Sequence, residues 1–271
     1  MKKPFIHVTT VIILMCAILF VTLETCLKND KNHDSPTLQQ VVYTLPHDPT
    51  SQKIRFVNTI LPLVIKSNDK VAQERSRIIA IAEKKAKAGE QDKRIIDKLS
   101  RKYRINVNDY KKRISELLTR VDILPPSLVI AQAALESGWG TSRFSLEANN
   151  LFGIRTLSGR GIVPYERMDG IKISVFKDIQ SCIDYHILNL NSHPQYMELR
   201  RMRQEMDPPY DPIALAKGLK NYSEQGNAYV DKVVRIIRMN DLRKYDSLVN
   251  GIYCREDHKA HWFTLNYWKG S

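Results

Sequence analysis

The chain has 271 residues, 43% of them hydrophobic, and sets 42 Lys and Arg against 29 Asp and Glu for a formal net charge of +13. That length holds one domain with accessory elements or two small domains, and the positive excess suits nucleic acid, an anionic membrane or an anionic wall polymer without choosing among them. Its four cysteines, Cys16, Cys26, Cys182 and Cys254, make no CxxC or Cys/His cluster, which argues against structural zinc, and no GxSxG elbow or glycine-rich nucleotide loop is present.

Residues 1–27 read as a signal peptide or an N-terminal membrane anchor. Lys2 and Lys3 precede an uncharged apolar stretch from Pro4 to Leu23, and such lysines stay on the cytoplasmic side while the remainder is drawn outward. The stretch reaches the roughly 20 residues that span a bilayer, and no small-x-small cleavage site follows it, which favours an anchor in the inner membrane. The expected location is the periplasmic face of that membrane, or the periplasm. Lipid anchoring at Cys26 is poorly matched, because Leu23-Glu24-Thr25-Cys26 puts a charge where a lipobox is apolar or small. Residues 28–52, with Pro36, Pro46 and Pro49, read as a polar linker.

Residues 53–120 read as a basic accessory region of amphipathic helices. Ile54, Val57, Ile60, Leu61, Val64 and Ile65 recur at helical steps, with Pro62 expected to bend or end that helix. Further apolar faces follow at Ile78 and Ile79, at Ile95, Ile96 and Leu99, and at Ile114, Leu117 and Leu118, the last on a helix capped by Asn108 or Asp109. Residues 66–120 hold 17 Lys or Arg and 8 Asp or Glu. Two readings stay open: ordinary solvated helix faces, or an electrostatic platform for an anionic polymer. Nucleic acid is not the expected partner, since only Tyr103 and Tyr110 interrupt the basic run.

From 121 to 246 the pattern changes to that of a candidate catalytic domain. Pro125 and Pro126 start a helix whose interior, Leu128 to Leu135, holds a single polar residue, Gln132. Glu136 stands on its last turn, before Ser137-Gly138-Trp139-Gly140. Apolar surroundings and the negative end of the helix both favour the protonated carboxyl, which is what a general acid needs. A lone Glu at a helix end is equally an ordinary surface residue, so the pattern alone leaves the role open. Asn149-Asn150-Leu151-Phe152-Gly153 forms a turn that could fold back beside it. Gly161 to Glu166 and Ile171 to Phe176 flank Arg167-Met168-Asp169-Gly170, the mark of an inserted β-hairpin that would carry Glu166. Asp178 caps the next helix, and Tyr222 and Tyr229 each offer a hydroxyl around the Gly226-Asn227 turn.

Residues 247–271 form an aromatic tail with Tyr253, Trp262, Phe263, Tyr267 and Trp268, expected to pack or dock. In an exported chain Cys182 and Cys254 could form a disulfide; the alternative is a buried Cys182 and a free Cys254. His258 and His261 lack acidic or sulfur partners at metal-binding spacing, and His186 and His193 read as helix and loop residues, not catalytic bases.

Leu124-Pro125-Pro126-Ser127, Ala134-Leu135-Glu136-Ser137-Gly138-Trp139-Gly140-Thr141-Ser142-Arg143-Phe144 and Asn149-Asn150-Leu151-Phe152-Gly153-Ile154 closely resemble the N-acetylglucosaminidase domains of glycoside hydrolase family 73, most of all its Bax-type branch. Gly161-Ile162-Val163-Pro164 and the run from Leu219 to Val230 extend the resemblance. It implies a mainly α, lysozyme-like α+β catalytic domain that cleaves the β-1,4 bond after N-acetylglucosamine in peptidoglycan, without a metal or other cofactor. It also implies Glu136 as catalytic acid, Glu166 as a second carboxylate with Asp169 competing, and Tyr222 as the tyrosine opening a Tyr-Ala-Thr-Asp-Pro-like motif that here reads Tyr-Ser-Glu-Gln-Gly. Trp139, Asn150, Phe152 and Tyr229 are the expected substrate-binding residues, with packing around the active helix the open alternative for Trp139 and the favoured reading for Phe152. The expected partners are glycan strands, the inner membrane through the N-terminus and an envelope protein. A lytic transglycosylase, or a non-catalytic peptidoglycan-binding scaffold, are the alternatives.

Overall fold

The computed structural model describes residues 49–84, 87–157, 161–163 and 171–249. The N-terminal segment with Cys26, most of the linker, the hairpin residues Glu166 and Asp169, and the tail beyond Val249, including Cys254, lie outside the described residues.

Helix α1, Pro49–Glu83, runs without interruption through Pro62. A helix-interior proline costs about 3 kcal/mol through its lost N–H bond and ring clash. Pro62 faces solvent while its neighbours Ile60, Leu61 and Val64 are buried, so the apolar face carries the helix past the proline and it does not end there. Farther along, Asn68 is fully buried and pairs with the backbone of Leu124 twice: its Nδ2 donates to the Leu124 carbonyl at 2.8 Å, and its Oδ1 accepts from the Leu124 N–H at 3.1 Å. Such pairing satisfies two buried backbone groups at once.

Gly89 precedes helix α2, Glu90–Lys102, and its N–H donates to the Asp92 carboxylate at 3.1 Å. Asp109 caps helix α3, Tyr110–Arg120, by accepting from the Lys112 N–H at 2.7 Å, one of the two caps the sequence offered. Helix α4, Pro126–Ser137, begins on the expected proline pair and is buried from Pro126 to Ala134. Its first-turn N–H groups have no local cap, since Pro125 has no suitable side chain. Asp246, from the 3-10 helix Leu242–Val249, supplies it by accepting from the Ser127 N–H at 2.8 Å and the Ser127 hydroxyl at 2.7 Å. Gly138 ends α4 in the left-handed region at φ 57°, where a side chain would be strained.

Helix α5, Arg143–Ala148, is capped by Ser142. Strands β1 (Arg155–Thr156), β2 (Gly161–Ile162) and β3 (Lys172–Ser174) form an antiparallel sheet in the order β1-β3-β2. The expected hairpin is the β2–β3 pair, with Gly161 opposite Ser174, and β1 extends it. Gly161 is required there, because a Cβ would lie 2.5 Å from that of Lys172. Helix α6, Ile179–Ser192, starts on Asp178 as expected, and α7 (Met197–Gln204), α8 (Pro212–Ala216) and α9 (Asn227–Met239) complete the structure. The fold is thus mainly α with a small antiparallel sheet.

The buried faces of α1, α4, α6 and α9 share one apolar core. Helix α1 of the basic region therefore packs directly against α4. Arg203 of α7, only 1% exposed, adds a polar fastening beneath it, with Nη1 donating to Asn191 Oδ1 at 2.8 Å and to the Asp122 carbonyl at 3.1 Å. The Tyr210 hydroxyl donates to Asp122 Oδ2 at 2.7 Å, so the segment that leads into α4 is held from three sides.

Candidate active site

Glu136 stands half-buried on the last turn of α4 and faces a cleft of about 1290 Å³. The cleft is lined by Gly153, Ile154, Arg155 and Ile173 on and beside the sheet, by Tyr185, His186, Asn189 and Tyr196, and by the loop from Lys220 to Gly226. Burial raises the Glu136 carboxyl above the usual range, while a hydrogen bond from Tyr229 and the charge of Lys232 pull it part of the way back. A carboxyl so placed keeps its proton at a pH where an exposed Glu has lost it.

A polar chain runs away from this acid into the core. Gln132 lies one turn before Glu136 on the same helix face. Its Nε2 donates to the Tyr229 hydroxyl oxygen at 3.2 Å, which leaves the tyrosine O–H for the Glu136 carboxylate. Gln132 Oε1 lies 3.2 Å from His186 Nε2. An amide oxygen only accepts, so His186 carries its proton on Nε2. His186 is 1% exposed, and burial depresses its pKa to about 3, so the ring is neutral. Every donor in the series His186, Gln132, Tyr229 therefore points toward Glu136.

Aromatic stacking fixes these groups. The His186 ring lies flat on Phe152, with centroids 3.7 Å apart and planes 3° from parallel, and presents its edge to Tyr222 at 5.8 Å. Tyr222 stacks on Tyr229 at 5.0 Å and approaches Tyr196 at 5.9 Å. The Tyr222 hydroxyl donates to the Phe152 carbonyl at 3.4 Å, and burial holds its pKa well above that of a free tyrosine, so it is a neutral donor at the cleft wall. Tyr196 is pushed up to about 12 by burial and the nearby Glu136 charge.

The expected site residues separate into groups. Glu136, Tyr222 and Phe152 reach the cleft, and Tyr229 lies behind Glu136, bonded to it. Trp139 is not in the cleft wall: at φ 60° it turns toward α1, meeting Phe56 edge-on at 5.7 Å with Lys53 Nζ 5.2 Å from its ring. Asn150 does not face the cleft either. It is 1% exposed and its amide is spent on backbone, donating to the Ile154 and Ser174 carbonyls at 2.9 Å and accepting from the Ile154 N–H at 3.0 Å. Neither Trp139 nor Asn150 lines this cleft. Trp139 follows a left-handed glycine that swings it off the helix face, and Asn150 is the hub that shapes the loop onto β3. Cys182 is fully buried and has no disulfide partner among the described residues, its thiol pushed up to about 12 by burial, and Cys254 lies outside them.

His186 is a helix residue and not a catalytic base, as its sequence position suggested, while Tyr196 and Tyr185 come from a turn and a helix that show no catalytic pattern and were not singled out. Gln132 carried the one available signal: a polar residue alone in an apolar run, four positions before the acid.

Residues 111–242 match the family described as mannosyl-glycoprotein endo-beta-N-acetylglucosaminidase, the glucosaminidase family. Protein bax of Escherichia coli (strain K12) is 31% identical over 185 residues, which cover 66% of this chain and 66% of that protein. The exo-glucosaminidase LytG of Bacillus subtilis (strain 168) is 30% identical over 135 residues, covering 45% of this chain and 46% of LytG. The chain therefore spans somewhat under two thirds of the first of these relatives and under half of the second. Among solved structures, the catalytic domain of the autolysin Auto from Listeria monocytogenes is 21% identical with a TM-score of 0.42, covering 76% of this chain and 94% of that one. Through residues 111–242 the chain belongs to the glucosaminidase family, glycoside hydrolase family 73, on its Bax-type branch.

Proposed function

We propose that the protein is a peptidoglycan N-acetylglucosaminidase that hydrolyses the β-1,4 bond after N-acetylglucosamine, with Glu136 as general acid. The observation that carries the reading is a half-buried carboxyl on a cleft wall, its pKa raised by burial and its position held by the Tyr229 hydroxyl. Family membership and the name of the relative LytG support the substrate class.

The chemistry follows from the acetal. Glu136 delivers its proton to the bridging oxygen as the anomeric carbon gains oxocarbenium character, and the leaving sugar departs as an alcohol. Charge left on the Glu136 carboxylate is stabilised by the O–H of Tyr229, whose oxygen is already polarised by Gln132. The second half has two routes. Glu166, on the connection between β2 and β3, would activate a water, or the substrate's own N-acetyl carbonyl would attack, with the Tyr222 hydroxyl oxygen, whose proton goes to the Phe152 carbonyl, accepting from the acetamido N–H. The N-terminal segment supports action at the periplasmic face of the inner membrane, where this substrate lies.

Digestion of purified sacculi with the full-length protein, followed by mass spectrometry of the released glycans, tests the assignment. N-acetylglucosamine at the new reducing ends is the expected product. Anhydro-muropeptides would instead identify a lytic transglycosylase, and binding without cleavage would identify a scaffold.

A further inference from the structure

The cleft extends past the sugar-cleaving residues to a corner built partly by the basic helices. Arg104 lines this end together with His193, Gln195, Lys220 and Asn221. Residue 104 lies outside 111–242, the stretch that matches the family.

The backbone presenting Arg104 is locked. Arg104 takes a left-handed φ of 58° after α2, and the Ile105 N–H closes the turn onto the Ser100 carbonyl at 2.8 Å. Arg120 Nη1 then donates to the Tyr103 carbonyl at 2.9 Å, the Arg104 carbonyl at 3.1 Å and the Ser192 carbonyl at 3.2 Å, clasping this turn to the end of α6. Arg200 Nη1 fixes the adjoining turn through the His193 carbonyl at 2.9 Å. On the other side, Gln195 Nε2 donates to the Asn221 carbonyl, which tethers the loop carrying Lys220. A non-glycine residue held at positive φ is strained and persists where its surroundings impose it.

The side chains of Arg104 and Lys220 are exposed, and among the described residues neither has an ion-pair partner. Glu116, on the neighbouring helix face, is engaged by Arg120 at 3.4 Å. The guanidinium of Arg104 also contributes to holding the His193 imidazole below its ordinary pKa, after burial. The corner thus offers two cations with no ion-pair partner among the described residues, on fixed backbone of a cleft that Glu136 and Glu224 also line, and Arg in particular grips carboxylates in a planar fork.

We propose that Arg104 and Lys220 form a carboxylate-binding subsite for the peptide substituents of the glycan strand, which makes the basic helices part of substrate selection. This rests on the peptidoglycan reading above. It gives a specific role to a charge excess that otherwise suits any polyanion. An exposed pair of this kind changes affinity about three- to fivefold and weakens as salt rises.

The test uses the full-length protein carrying Glu136→Gln, to prevent turnover, and calorimetric titration with two ligands: a disaccharide-tetrapeptide muropeptide and the peptide-free disaccharide. The readout is the ratio of the two affinities. A ratio of about three to five is expected, falling toward one in Arg104→Asn, recovering partly in Arg104→Lys, and falling toward one when the peptide carboxylates are amidated. Asn tolerates positive φ, so that variant keeps the turn while removing the charge. A ratio unchanged in Arg104→Asn, or near one in the parent while both ligands bind, overturns the subsite and leaves the glucosaminidase reading standing. Failure of both ligands to bind overturns the glucosaminidase reading and the subsite with it.

Discussion

Tyr229 donates its O–H to Glu136 while accepting from Gln132 Nε2 at 3.2 Å, so the hydroxyl that touches the acid is itself oriented from the core. The tyrosine favours the carboxylate and burial favours the acid, and burial is the larger effect. The two together hold the carboxyl able to give its proton and still able to carry the charge left behind.

Removing that donor has a signed consequence. In Tyr229→Phe the carboxylate loses a stabilising bond, so the Glu136 pKa rises further and the alkaline limb of the kcat/KM profile moves to higher pH. The maximal rate should drop by roughly tenfold or more, since a charge-assisted bond is worth about 1.5–3 kcal/mol. Lys232→Gln removes a weaker influence of the same sign and should shift the limb less. A limb that moved to lower pH in either variant would contradict the arrangement.

His186 predicts how stability depends on acidity. Its folded pKa of about 3 lies below the unfolded value near 6.5, so its contribution is complete above pH 6.5 and is lost as pH falls toward 3. The slope is at most about 1.4 kcal/mol per pH unit. Asp246 acts in the opposite sense, because burial pushes its carboxyl up to about 6 and folding then favours its protonated form as pH drops below that value. Urea denaturation at pH 7 and pH 5 should show a smaller loss in His186→Phe than in the parent, although the variant is less stable at pH 7. The same loss in both would contradict the neutral buried imidazole.

Asn68 links the basic helices to the acid-bearing helix. Asn68→Ala strands the buried N–H and carbonyl of Leu124, at about 1–3 kcal/mol each. Thermal melting should fall by several degrees, at about 2–4 °C per kcal/mol for a domain of this size. An unchanged melting temperature would show that α1 does not brace α4.

Trp139 gives a test that separates packing from binding. Trp139→Ala removes the edge contact with Phe56 and should cost about 3 kcal/mol of stability. Affinity for a chitooligosaccharide, measured well below the melting transition, should stay within about twofold, since the ring lies outside the cleft wall. A large loss of affinity with little loss of stability would return Trp139 to the substrate.

What could be read from the chain was mostly local. The proline start and glycine stop of α4, the Asp109 and Asp178 caps and the β2–β3 hairpin depend on neighbours in sequence, and each appears in the structure. Glu136 and Tyr222 were legible as motifs, and both face the cleft. The rest is long-range. The partners of Gln132 are Tyr229 and His186, α4 is capped from Asp246, and Leu124 is held by Asn68, none of which leaves a periodic signature. Pro62 shows the opposite failure, a local rule overridden by a buried face.

The most direct measurement compares full-length protein with its Glu136→Gln variant on purified sacculi, counting new N-acetylglucosamine reducing ends over time. Glutamine preserves shape but cannot deliver a proton. The account predicts steady release by the parent and a loss of at least about a hundredfold in the variant. Equal release by both proteins, or none by the parent, would contradict it.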